Sequence, residues 1–289
     1  LGTSIAPAIG AMLILSDTIK STDEIAALTD LQRDSYYISE ASAVQSPFLG
    51  IAGFVILLAV VFLFVKLPKL LENVAHKGGY IALLKNKSLM QGAFGIFVYV
   101  GAEVAIGSYL VNYFMDMNLA EAVKGSTTMR SISESLLGSD LSTLDTKAIV
   151  GAFVTFYWSG AMIGRFLGAY LTKIIAPAKV LSSFAIGALV LILISMNSGG
   201  FIAMWSILAV GLFNSIMFPT IFALAISGLD DLKPQASGIL CTMIVGGAII
   251  PPLYGLVTDY VGFKLAFILV LCCYAYIMWY GKVKNKVSS

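Results

Sequence analysis

Apolar residues in this chain come in long runs, not in the short alternations that mark half-buried elements of a soluble domain. Eight segments stand out, over 1–16, 47–65, 90–115, 148–172, 179–196, 201–226, 236–258 and 264–281. A helix rises about 1.5 Å per residue, so crossing the hydrocarbon layer takes about 20 apolar residues. Seven of the segments meet or approach that length. The first is shorter, begins at Leu1 rather than at a methionine, and lacks the basic stretch that would precede a signal peptide. The pattern predicts an all-α polytopic membrane protein with eight spans, and the first span is expected to be the start of a C-terminal portion of a longer protein.

Composition narrows the function classes. Of 289 residues 58% are hydrophobic and 12% charged, against about 25% charged in a soluble domain. A nucleic-acid-binding domain, a disordered tail and a disulfide-stapled secreted module are excluded. Cys241, Cys272 and Cys273 fall inside apolar runs and are expected to be buried small hydrophobes, not a disulfide or zinc framework. The single histidine, His76, sits in a lysine-bearing stretch and reads as a solvated loop residue. Without a second intramembrane ligand or a nucleophile–base pair, no metal, cofactor or enzymatic chemistry is expected.

The loops orient the spans. With 66–89 inside, the inner side holds Lys66, Lys69, Lys77, Lys85, Lys87, Arg165, Lys173, Lys179, Lys233, Lys282, Lys284 and Lys286. The outer side holds half as many basic residues: Lys20, Arg33, Lys124, Arg130, Lys147 and Lys264. That asymmetry follows the positive-inside rule and predicts a cytoplasmic C-terminus. The acidic loops 17–46 and 116–147 then lie outside and are expected to form short surface helices. The 66–89 loop reads as an interdomain linker with a basic face on anionic headgroups.

Several polar features lie at membrane depth. Glu103 is the one acid near the middle of an apolar segment, and such a group marks a functional site by default. Away from it on the same helix, Ser108, Tyr109, Asn112 and Tyr113 offer a hydroxyl, an amide and two phenols, a set suited to a polyol or to tying helices together. Asn214 lies in the 201–226 segment ahead of Pro219, which removes the bond to the Ser215 carbonyl and predicts a bend. Gly246–Gly247 followed by Pro251–Pro252 predicts another break, leaving the carbonyls of Gly247 and Ala248 without amide partners. Interrupted spans point to the moving or binding helices of a transporter. Gly160, Gly164 and Gly168 recur every four residues, a spacing for close helix approach.

These residues resemble a known family. Gly164-Arg165-Phe166-Leu167-Gly168, ahead of a short basic loop, is similar to the second-half signature of the major facilitator superfamily. The run Gly101-Ala102-Glu103-Val104-Ala105-Ile106-Gly107-Ser108-Tyr109-Leu110-Val111-Asn112-Tyr113 resembles helix seven of its fucose and glucose/galactose permease group. Phe213-Asn214-Ser215-Ile216-Met217-Phe218-Pro219-Thr220-Ile221-Phe222 resembles helix ten of that group, Gly246-Gly247-Ala248-Ile249-Ile250-Pro251-Pro252 helix eleven, and Leu1-Gly2-Thr3-Ser4-Ile5-Ala6-Pro7 helix five.

The resemblance implies helices five to twelve of a twelve-helix, two-bundle sugar:proton symporter working by alternating access in the bacterial cytoplasmic membrane. Residues 1–65 would be the last two helices of the N-terminal bundle, 66–89 the cytoplasmic linker and 90–289 the C-terminal bundle. Expected partners are a monosaccharide of the fucose or glucose/galactose type, protons and lipid, with no nucleic acid and a monomeric state. Ser108, Tyr109, Asn112, Tyr113 and Asn214 are the expected sugar contacts. Glu103 is a gating or structural acid, and Pro219, Gly246, Gly247, Pro251 and Pro252 are hinges. The resemblance associates proton coupling with the first four helices of the group, so Glu103 is not assigned it. The alternatives are an exporter of drugs or other solutes and a non-transporting remnant.

Overall fold

The computed structural model describes residues 28–65, 79–138 and 140–288. The segment 1–16, most of the 66–89 loop and His76 lie outside the described residues. The chain divides into two units, Leu1–Ala75 and His76–Ser289.

In the first unit, α1 runs over Asp30–Phe64. The Thr29 amide donates to the Gln32 side-chain oxygen at 3.2 Å, occupying one of the free donors at its start. The second half, Gln45–Phe64, is apolar on all sides, with Phe54 60% and Ile56 64% exposed. A helix apolar all round is one whose surroundings are apolar too. The residues from Asp30 to the span are not separate surface helices, as expected, but continue into it without a break. Nothing in 30–44 stops a helix, since the first proline after Asp30 is Pro47.

The second unit is a helical bundle. After the short α2 (Gly79–Lys85) come α3 (Lys87–Asp116), α6 (Thr146–Ile174), α7 (Pro177–Asn197), α8 (Gly200–Asn214), α9 (Met217–Ile226), α10 (Lys233–Thr242) and α11 (Gly246–Ser288). Between α3 and α6 lie α4 (Leu119–Gly125), α5 (Thr127–Leu137) and one 3-10 turn, the short helices expected of that loop. Among the described residues six stretches are long and apolar enough to span a membrane. The last, Asp230–Lys286, has 57 residues and would reach about 85 Å as one helix, far beyond a bilayer. Gly262, at φ 79° and ψ 165°, turns it back on itself, so that stretch holds two of the expected spans.

Contacts run chiefly between α3 and α11, α7 and α11, α6 and α8, and α7 and α8. The α6 glycine stripe explains one of them. A Cβ on Gly164 would collide with the Leu212 carbonyl and the Ser215 hydroxyl, and one on Gly168 with Ile216. The stripe is the groove into which the end of α8 fits. Gly246 similarly leaves room for the Phe97 carbonyl of α3.

Two expectations need correction. The helix does not break at Pro251–Pro252, which lie inside α11; the departure from α geometry is the 3-10 turn Met243–Val245, just before Gly246. The carbonyls freed by the two prolines, of Gly247 and Ala248, lie inside α11, where the close fit of Gly246 and Gly247 against Phe97 and Val100 of α3 keeps the stretch helical. Cys241 and Cys272 are exposed, and only Cys273 is buried. In a membrane bundle the outer surface is also apolar, so an apolar run does not by itself mean interior.

Candidate functional site

The site grows from the interruption between α8 and α9. Helical structure stops at Asn214 and resumes at Met217, leaving Ser215 and Ile216 between, which matches the bend predicted ahead of Pro219. An interruption at this depth exposes backbone groups that lipid cannot satisfy. Here one tyrosine satisfies the Asn214 carbonyl and two more hold the Asn214 side chain. The Tyr99 hydroxyl of α3 donates to the Asn214 carbonyl at 2.9 Å. The Asn214 amide donates to the Tyr157 hydroxyl of α6 at 2.8 Å, and the Tyr274 hydroxyl of α11 donates to the Asn214 side-chain oxygen at 2.6 Å. Asn214, Tyr157 and Tyr274 are all fully buried. Four helices are thus knotted at one amide.

Beside this knot the interruption opens a cavity of about 730 Å³. Tyr99, Glu103, Arg165, Thr172, Pro219 and Thr220 are on its wall. Glu103 follows Tyr99 by one helical turn, so the two share a face of α3 and stand in reach of each other. Arg165 brings the opposite charge from α6, and its guanidinium lies near enough to act on Glu103. The Ser215 hydroxyl donates back to the Leu212 carbonyl at 2.8 Å. The arrangement is a polar, charge-balanced recess in an otherwise apolar bundle, able to hydrogen-bond a small polar solute. Arg165 is exposed and Glu103 partly buried, so the recess brings an acid and a base onto one wall without locking them in an interior pair.

The expected sugar contacts separate into distinct places. Tyr113 is fully buried, and its hydroxyl donates to the Ser195 carbonyl at 3.1 Å. The Ser195 hydroxyl passes the link on to the Ala203 carbonyl at 2.9 Å, so this chain ties α3, α7 and α8. Tyr109 packs on Tyr254, with ring centroids 5.2 Å apart, and against Gly255. Ser108 and Asn112 are exposed. Asn214 is the knot described above. None of these five is on the wall of the 730 Å³ cavity, whereas Glu103, Arg165 and Pro219 are. Gly164 and Gly168 sit behind Arg165 as packing residues, and Gly246 and Gly247 face Phe97 and Val100 of α3.

Tyr99, Tyr157, Tyr274, Thr172 and Thr220 were not singled out from the sequence. A signal existed: Tyr99 precedes Glu103 by four residues, and a phenol within an apolar span must find a partner. Among the described residues no group of acids, cysteines or histidines is placed to hold a metal.

No family model matches the chain. Individual proteins do. A glucose/galactose transporter of Brucella abortus biovar 1 (strain 9-941) is 41% identical over 290 residues, covering 99% of this chain and 61% of the relative. A putative glucose/galactose transporter of Helicobacter pylori J99 is 39% identical over 97% of this chain and 62% of its own length. An L-fucose-proton symporter of Escherichia coli K12 is 29% identical over 100% of this chain and 62% of its own length. The chain therefore spans about three-fifths of the relatives it matches. Among solved structures, the fucose transporter crystallised in its outward conformation, described as a major facilitator superfamily transporter, superposes with a TM-score of 0.68 at 28% identity, over 97% of this chain and 64% of that one.

Proposed function

We propose that this chain, which belongs with the glucose/galactose and fucose permeases of the major facilitator superfamily, serves in the proton-coupled import of a monosaccharide by alternating access. The observation that carries the reading is the charge-balanced recess at the α8–α9 interruption, set in a chain whose relatives are named as transporters of such sugars. A helix interrupted beside a wet polar recess is the arrangement that lets a transporter bind at the membrane interior and bend around its solute.

In this reading Glu103 and Arg165 act as a gating pair. Their attraction holds α3 against α6 across the recess, and a polar solute or a conformational change that separates them opens it. Ser108 and Asn112 remain sugar contacts. They are exposed within a span, where lipid would leave their hydrogen bonds unmade and a wet cavity would not. Tyr109, Tyr113 and Asn214 support that face from behind. Pro219 and Gly246–Gly247 flank the two places where helices are interrupted and supply the bending points.

Residues 90–289 act as one six-helix bundle, 1–65 contribute two helices of another, and 66–89 connect them on the cytoplasmic side. In this reading the protein works in a bacterial cytoplasmic membrane as a monomer among lipids, with its C-terminus inside, an orientation that the excess of basic residues on that side supports. Uptake of glucose, galactose and fucose into proteoliposomes, with and without an inward proton gradient, tests the proposal. Gradient-stimulated accumulation of one of them is expected. Efflux of apolar drugs without sugar uptake would replace the reading with that of an exporter, and no transport at all would support a remnant.

A further inference from the structure

A second cavity, of about 350 Å³, lies where the first turns of α7 meet the last turns of α11. Its lining is Lys179, Ser182 and Ser183 from α7 with Lys282, Asn285 and Lys286 from α11. Three of the six are lysines and none is an acid. The backbone brings them together. Gly281 lies so close to Ser182 that a Cβ there would collide with the Ser182 hydroxyl. That hydroxyl donates to the Ala178 carbonyl at 3.0 Å and reaches the Met278 carbonyl at 3.4 Å. The two helix ends are therefore fixed with Lys179 and Lys282 on one recess, whatever their mutual repulsion.

The surface beyond the recess is apolar. On α7, Ile186 and Val190 follow Ser183 at helical spacing and are 42% and 49% exposed. On α11, Trp279 precedes Lys282 by one turn and is 43% exposed, the position of an interfacial aromatic. A cationic, hydroxyl-lined recess that opens onto an exposed apolar ridge has the chemistry of one ligand class.

We infer that the recess between the start of α7 and the end of α11 is a binding site for an anionic phospholipid. The phosphate sits between Lys179 and Lys282, the Ser183 hydroxyl and Asn285 amide donate to its oxygens or to the glycerol headgroup, and the acyl chains lie along Ile186 and Val190. Lysine acts on phosphate as a point charge, and each is worth roughly fivefold in binding to an anionic lipid surface. This inference does not depend on what solute the protein carries.

Native mass spectrometry of the detergent-solubilised protein tests it, with phosphatidylglycerol, phosphatidylethanolamine and glycerol phosphate as separate probes. Phosphatidylglycerol should be retained in clear excess over phosphatidylethanolamine, and glycerol phosphate alone should not be retained. Lys179→Gln should lower that preference roughly fivefold and Lys179→Gln/Lys282→Gln on the order of twentyfold, while Lys124→Gln, in a different loop, should leave it unchanged. The single variant, at an exposed side chain, serves if the double variant misfolds. Equal retention of the two lipids, or an undiminished preference in Lys179→Gln, would overturn the assignment. Retention of glycerol phosphate with no lipid preference would make it a site for soluble phosphates and also overturn it.

Discussion

Two polar regions meet at the α8–α9 interruption and differ in kind. Around Asn214 every polar group is buried and partnered, by Tyr99, Tyr157 and Tyr274. Around Glu103 and Arg165 the groups face a cavity of about 730 Å³. The first region closes the bundle and the second leaves it open to a solute. Polarity at membrane depth thus does not by itself mark a binding site: a group whose hydrogen bonds are all made has none left to offer.

That contrast can be broken experimentally, beginning on the closed side. Asn214→Ala strands the Tyr157 and Tyr274 hydroxyls in the interior, where an unmade hydrogen bond costs about 1–3 kcal/mol. A loss of about 3 kcal/mol of stability is expected, read as a large fall in the thermal midpoint of the detergent-solubilised protein. Gly164→Ala comes next. Its Cβ would meet the Leu212 carbonyl and the Ser215 hydroxyl, and overpacking of this kind costs about 1–3 kcal/mol. Melting should again drop, with α6 moved from α8.

Along α3, away from the cavity wall, the order of effects reverses, with transport changed and stability kept. Asn112→Ala removes an exposed amide and should weaken sugar affinity by roughly fivefold, the worth of about one hydrogen bond, with melting unchanged. Tyr113→Phe is its counterpart. It cuts the link to Ser195 at about 0.6 kcal/mol and should leave sugar affinity alone. Unaltered affinity in Asn112→Ala would remove that residue from the sugar face.

The smallest effect lies in the loop after α5. Asp140 accepts from the Ser142 amide at 2.9 Å, which chiefly holds its carboxyl below the usual range, and Arg130 adds to this at 3.2 Å. A carboxyl lowered on folding stabilises above its ordinary range, and that contribution is lost as the pH falls through the folded value. Acidification below the carboxylate range should therefore loosen this turn, seen as faster hydrogen exchange at Ser142. Asp140→Asn should abolish the pH dependence.

The spans, the interruption ahead of Pro219 and the α6 glycine groove were legible in the sequence because each rests on a local rule: run length, a missing amide, a repeat of four. The partition of α3 was not. Ser108 and Asn112 are one turn apart, and so are Tyr109 and Tyr113, but the two pairs look in different directions. A helical wheel joins them into one broad polar face, and only the position of α11, through Tyr254 and Phe267, decides which pair is covered. The tyrosines of the Asn214 knot come from three separate helices, α3, α6 and α11, and nothing in their spacing along the chain brings them together. The Pro251–Pro252 pair misled in the other direction, because the surrounding bundle keeps that stretch helical.

The most direct test of the account compares Glu103→Gln with the unaltered protein in proteoliposomes driven by a proton gradient. The carboxylate and Arg165 are both on the wall of the recess, so the amide should keep the fold, with an unchanged melting profile, while sugar uptake falls by about tenfold, equivalent to about 1.4 kcal/mol. Uptake and pH dependence identical to those of the unaltered protein would contradict the gating role of the pair and with it the assignment of this recess to transport.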